Sequence, residues 1–383
     1  MIESGSSLKE KLEILLEYLS STLSVERQDG IDNLHMQALK WLPVKRLPLI
    51  FNYPLDNDYR FQPYPYSEIF DCPEKMLFNE LAYSFGTSIA CRKSLNDDLP
   101  CTIRANFGTV VIASMFGAHV EQHGNNPPWV LHDLSHDLTL EQVRDRDPLD
   151  FSNGWVSQII ERYKFYKETL IKYPNLNQVI RVVLPDLQSP FDNLEQITGS
   201  GIFLEIKERP GMVSSALEAM ASAQIGLAKH LMPYINDGAK GFSNQHATAI
   251  RGNILLRNDS VIMMSPEMYD EIVAPHDERV LRELGGGGIH CCGKIERHAE
   301  NFLRLPSCRC LDLGQSELND VAAIYKKANE NRIPIIRIKA TEEELVSGQI
   351  INLYPTGVSL ICNAISINDA RRIMDLYLKT TGC

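Results

Sequence analysis

From residue 155 onward, stretches with helical spacing alternate with short apolar runs, and this alternation limits the fold more than any other feature of the chain. The spacing predicts helices over 155–172, 210–232, 265–284, 296–303, 317–331, 342–347 and 366–380. Between them, strands are expected at 178–184, 248–256, 289–292, 308–313, 333–338 and 357–362. Repeated strand–helix units fold as a parallel sheet with helical crossovers. Upstream, Leu8, Leu12, Leu15, Leu16, Leu19 and Leu23 define a helix over 7–23, with Ser7 and Glu10 spaced as a capping box. An apolar strand follows at 47–53. No glycine-rich dinucleotide fingerprint follows any strand, and no phosphate loop is present. The expectation is a (β/α)8 TIM barrel over 46–383 with an N-terminal helical extension over 1–45. Working residues of such barrels sit at the C-terminal ends of the strands.

With 383 residues, 44% of them hydrophobic, the chain can bury a large core. A net charge of -11 without any Lys/Arg cluster argues against nucleic-acid or anionic-membrane binding. No apolar run approaches the roughly 18–20 residues a bilayer needs. The N-terminus lacks a cationic segment ahead of an apolar block, so a cytoplasmic protein is expected. The nine cysteines are not spaced like a small disulfide scaffold, and reduced thiols are expected.

The chemistry concentrates in His290-Cys291-Cys292-Gly293, which follows the glycine run Gly285–Gly288 and Ile289. On a strand, side chains alternate faces, so His290 and Cys292 share one face and Cys291 points away. An imidazole beside a thiolate is half of a zinc site, and three protein ligands leave one position open for chemistry. Cys362, in the apolar run 357–362, is the candidate third ligand. Asp259 and Asp312, both near strand ends, are candidates to orient His290 through its other ring nitrogen and to serve catalysis. Asp186, Gln188 and His246 are candidates for the substrate side. Cys308 and Cys310 read as core. The pairs His119/His123 and His132/His136 read as ordinary loop histidines.

The order of these motifs resembles the uroporphyrinogen decarboxylase superfamily, and within it the zinc-dependent, corrinoid-linked methyltransferases such as the methylcobalamin:coenzyme M methyltransferases. The segments that carry the likeness are Leu184 to Phe191, Glu208 to Val213, the stretch from Asn258 through Tyr269 to Pro275, and His290 to Gly293. The last matches the H-x-C-G of the methyltransferase branch, whose His and second Cys bind zinc; Cys362 sits where that branch has its final zinc cysteine. The resemblance implies a TIM barrel, a catalytic Zn2+ on His290, Cys292 and Cys362, and methylcobalamin carried by a partner corrinoid protein. The methyl group would pass to a thiol or another small acceptor. The segment Phe51 to Asp56 has no arginine before Arg60, unlike the arginine-rich segment of true porphyrinogen decarboxylases. A metal-free lyase of that type and a non-catalytic corrinoid- or metal-binding module are the alternative readings.

Overall fold

The computed structural model describes residues 7–132, 137–238 and 241–383; His136, read above as a loop histidine, lies outside them. Helix α1 (Leu8–Thr22) begins at Ser7, whose side chain accepts the Glu10 N–H while Glu10 accepts in return. Its buried Leu12, Leu15, Leu16 and Leu19 belong to the same hydrophobic core as the sheet. Helix α2 (Val25–Leu39) buries Ile31, His35 and Leu39, and packs on the strands Thr248–Arg251 and Val358–Asn363.

The strands are, in chain order, β1 (Leu49–Asn52), β2 (Thr102–Ile103), β3 (Val120–Glu121), β4 (Trp129–Val130), β5 (Arg181–Val182) and β6 (Phe242–Gln245). They continue with β7 (Thr248–Arg251), β8 (Ile254–Arg257), β9 (Gly287–Cys291), β10 (Cys308–Leu313), β11 (Ile335–Lys339) and β12 (Val358–Asn363). Six of them form one parallel sheet in the order β1-β12-β11-β10-β9-β8. β2 pairs with β5, also parallel, as a separate two-stranded piece. A single parallel bridge, Gln188 to Arg257, joins the end of that piece to β8. The expected α/β class with a parallel sheet is present, but the six-stranded sheet is open among the described residues and does not close as a barrel. Pro100 and Pro185 flank the short pair, and a residue without an N–H cannot extend a ladder.

Three expected elements differ locally. Residues 178–179 of the supposed strand 178–184 instead end the helix Pro174–Val179, started by Pro174, leaving only β5 as strand. The supposed strand 248–256 is two strands, β7 and β8, broken at Gly252 (φ +102°), where a side chain would meet the Gly286 carbonyl oxygen at 2.5 Å. The helix 265–284 contains a π-helical stretch, Tyr269–Val273, directly ahead of Pro275. Proline cannot donate to the preceding turn, and the wider turn absorbs the missing bond. By contrast β10 and the helix Glu342–Ser347 fall where the sequence puts them. No helix among the described residues is long and apolar enough to cross a membrane.

Candidate metal centre at the strand ends

β9 is buried along its whole length. Gly287 and Gly288 lie so close to β8 and β10 that a Cβ at either would fall 2.2 Å from the Ile254 carbonyl oxygen or 2.5 Å from Cys310 Sγ. The glycines thus let β9 settle between its neighbours and carry His290 to the end of the sheet. Cys292 follows the last strand residue, and its Sγ lies 3.4 Å from His290 Nε2. Asp259, just past β8, has Oδ1 at 3.7 Å from the same Nε2 and accepts the Cys292 N–H at 2.6 Å. Cys291 is buried on the opposite side, as alternation requires.

On its other nitrogen, His290 donates Nδ1–H to Asp312 Oδ2 at 2.8 Å. This hydrogen bond fixes the tautomer and leaves the Nε2 lone pair toward Cys292 and Asp259, the arrangement of a metal-ligating histidine. Zinc bonds of about 2.0 Å to nitrogen and about 2.3 Å to sulfur put two tetrahedral co-ligands roughly 3.5 Å apart. The separations of 3.4 and 3.7 Å fit that requirement. His290, Cys292 and Asp259 form one of two groups whose ligand atoms all lie within 4.8 Å of one another. The second group, His246, His290 and Asp312, is a hydrogen-bonded set. His246 Nδ1 lies 3.2 Å from Asp312 Oδ2, and its Nε2 accepts from Arg257 Nε at 2.8 Å. Neither ring nitrogen of His246 is left to hold an ion.

Behind the imidazoles runs a buried ionic chain. Asp186 accepts Arg257 Nη2 at 2.6 Å and lies 3.3 Å from Arg104 Nε; Arg104 Nη1 reaches Glu80 at 3.1 Å. Arg337 Nε lies 3.3 Å from Asp312 Oδ1. Burial alone would raise the Asp186 carboxyl, yet Arg104 and Arg257 hold it down at about 2. Asp312 likewise overcomes its burial and sits well below the usual carboxylate range, through Arg337 and His290. Burial and the Arg257 charge push His246 well below the ordinary histidine value, so it is neutral. The Cys292 thiol is pushed up to about 12 by burial and by Asp259.

Backbone strain collects here too. His246 and Ala247, the two turn residues between β6 and β7, have φ +48° and +57°, as a tight twisted hairpin demands. Phe85 (φ +54°) contacts the His246 ring, and Arg104 lies over the Phe85 ring. Arg337 (φ +56°) sits where the β11–β12 register shifts, a bulge that aims its guanidinium at Asp312. Left-handed non-glycine residues cost about 1–3 kcal/mol each and gather where a site needs fixed side chains.

The structure therefore brings together His290, Cys292, Asp259, Asp312, His246 and Asp186. Gln188 lies beside them on the bridge to Arg257, its side-chain oxygen buried without a partner. Cys362 does not join them. Ser359 on β12 faces the β6–β7 hairpin through Thr248 at 3.5 Å, so Cys362, three positions on, faces the other side. There its thiol is raised to about 11 by burial and by Asp369, Glu342 and Glu344, which belong to the outer helices. Sequence reasoning missed Arg104, Arg257 and Arg337. Their signal was a lone charge at the end of, or within, an apolar run, as in Ile335-Ile336-Arg337-Ile338.

The fold and the cluster define an α/β protein whose parallel sheet carries a buried imidazole beside a half-buried thiol and carboxylate at the C-terminal ends of adjacent strands. No protein-family model and no curated protein matches the sequence. Among solved structures the chain is similar to a methyltransferase from Methanosarcina mazei, with a TM-score of 0.60 over 91% of this chain and 98% of that one. The two are 13% identical, and the likeness is one of fold.

Proposed function

We propose that the chain is a zinc-dependent methyltransferase that moves a methyl group from a corrinoid on a partner protein to a thiol or other small acceptor. The observation that carries this reading is the His290–Cys292 pair, with donor atoms 3.4 Å apart and the far nitrogen of His290 bound to Asp312. The fold likeness to a protein described as a methyltransferase supports it, as does the H-x-C-G pattern. On this reading β1, β2, β5 and β8 to β12 are the eight strands of a barrel. Two contacts support its closure: the Gln188–Arg257 bridge, and the Asp98 N–H donated to the Leu49 carbonyl at 3.0 Å.

His290, Cys292 and Asp259 would hold the ion, Asp259 taking the place the sequence assigns to Cys362. Zinc, when bound, would favour the thiolate form of a substrate thiol in the remaining position, and the thiolate is the nucleophile. Asp312 keeps the proton on His290 Nδ1. Cys292 must release its own proton to bind. Burial and the Arg257 charge keep His246 neutral, and its bonds to Arg257 and Asp312 fix it beside the cluster.

A metal-free lyase is the second reading, and one observation favours it: three guanidiniums, Arg104, Arg257 and Arg337, gather at the site. Their pairing with Glu80, Asp186 and Asp312 leaves little free positive charge for a polyanionic substrate, which ranks that reading second. Elemental analysis of purified wild type, Cys292→Ser and Cys362→Ser separates these readings. The expected result is about one zinc per chain in the wild type and in Cys362→Ser, and none in Cys292→Ser, with methyl transfer from methylcobalamin to a thiol lost alongside. Equal metal in wild type and Cys292→Ser would falsify the zinc reading.

A further inference from the structure

Directly after β10, Gly314 sits against both principal donors. A Cβ built on it would lie 2.7 Å from His290 Cε1, 3.1 Å from His290 Nε2 and 2.9 Å from Cys292 Sγ. Its φ is not among the left-handed values, so any residue could adopt this backbone. The need for glycine here comes from space.

We propose that Gly314 is a positioning residue of the donor set: its bare Cα lets the His290 nitrogen and the Cys292 sulfur face the same ion. The inference rests on the metal reading above. A methyl group at 314 cannot swing aside, because Gly314 N–H donates to the Cys291 carbonyl at 3.0 Å. The next residue, Gln315, accepts the Gly293 N–H at 2.8 Å, and Asn319 Nδ2 donates to the Gly293 carbonyl at 2.9 Å. The two loops are thus laced together on either side of the donors. His290 cannot yield either: it is buried on β9 and tied to Asp312. The group free to move is the Cys292 side chain, which rotates about its Cα–Cβ bond. A methyl at 314 therefore presses on the held His290 ring, its nearest neighbour at 2.7 Å, and turns the sulfur away from Nε2, which breaks the pair.

The test is a Co2+ titration of wild type and Gly314→Ala, read by the thiolate-to-cobalt absorption in the near ultraviolet, with far-UV circular dichroism and the urea midpoint as controls. Wild type is expected to bind one Co2+ with that band. Gly314→Ala, with an unchanged fold and a lowered urea midpoint, is expected to bind roughly 10- to 100-fold more weakly, the usual effect of disturbing a ligand's supports, and to lose the band. Equal affinity and an equal band in the two proteins would overturn the role of Gly314. A wild type that binds neither Co2+ nor Zn2+ would instead remove the metal reading. If Gly314→Ala does not fold, His290→Ala/Gly314→Ala decides. Recovery of the fold when the imidazole is removed upholds the crowding, and continued misfolding overturns it.

Discussion

Asp312 accepts from three groups at once: His290, His246 and Arg337. Such sharing explains why one carboxylate can be fully buried and still ionised. The residue beside the ion behaves in the opposite way. Without metal, Cys292 holds its proton up to about pH 12, so each ion that binds through it must displace one proton. Affinity for Zn2+ should then rise about tenfold per pH unit between pH 7.5 and 9, measured against a competing chelator. If Cys362, whose thiol titrates near 11, also ligated, two protons would leave and the slope would be about a hundredfold per unit. A flat profile would mean that no thiol takes part. At this scale the sequence exposed His290, Cys292, Asp259 and Asp312 through motif and strand-end position. It could not expose Gly314, since nothing in Leu313-Gly314-Gln315 tells which side chains lie across the gap.

Elements expected from periodicity hold where local signals agree. The helix Ile367–Thr381 starts at Ser366, which accepts the Asp369 N–H, as its spacing foretells. They fail where tertiary contact intervenes. The run 248–256 reads as one strand because apolar residues flank Arg251-Gly252-Asn253 on both sides; Gly252 turns it because the backbone of Gly286 passes within contact distance. The turn at His246-Ala247 sends β7 back along β6 as a hairpin, whose tip carries His246 to Asp312, and the break at Gly252 then lets β8 join the main sheet. Gly252→Ala should therefore cost about 3 kcal/mol in urea unfolding, combining an unfavourable φ with a clash against a carbonyl oxygen. A change below about 0.5 kcal/mol would show that the turn has another cause.

One continuous core takes in residues from α1 to the last helix, so the acidic groups buried in it weigh on the stability of the whole molecule. Asp277, which accepts from Tyr269 at 2.9 Å, is raised to about 7 by burial. A carboxyl whose folded value lies above its unfolded one stabilises the protein while protonated. That contribution is complete below about pH 4 and is lost as pH rises through 7. Asp186, held at about 2, acts in the reverse sense: its contribution is present above about pH 4 and fades only as pH falls toward 2. Wild type should accordingly lose more stability between pH 5 and 8 than Asp277→Asn does, read as urea midpoints. Parallel losses in the two proteins would count against a buried neutral Asp277.

Read alone, the sequence determined the parallel α/β class, the positions of most helices and later strands, and the pairing of His290 with Cys292 on one strand face. Each follows from short-range rules: spacing of apolar residues, caps, and the two-residue alternation of a strand. Only the tertiary structure decided which further side chain stands beside that pair. Alternation along β12 turns Cys362 toward the outer helices, while the end of β8 brings Asp259 to within 3.7 Å of His290. The physical reason is that a ligand set depends on which strand faces converge. Convergence is fixed by sheet register and by glycine contacts such as those of Gly287, Gly288 and Gly314, which join residues far apart in the chain.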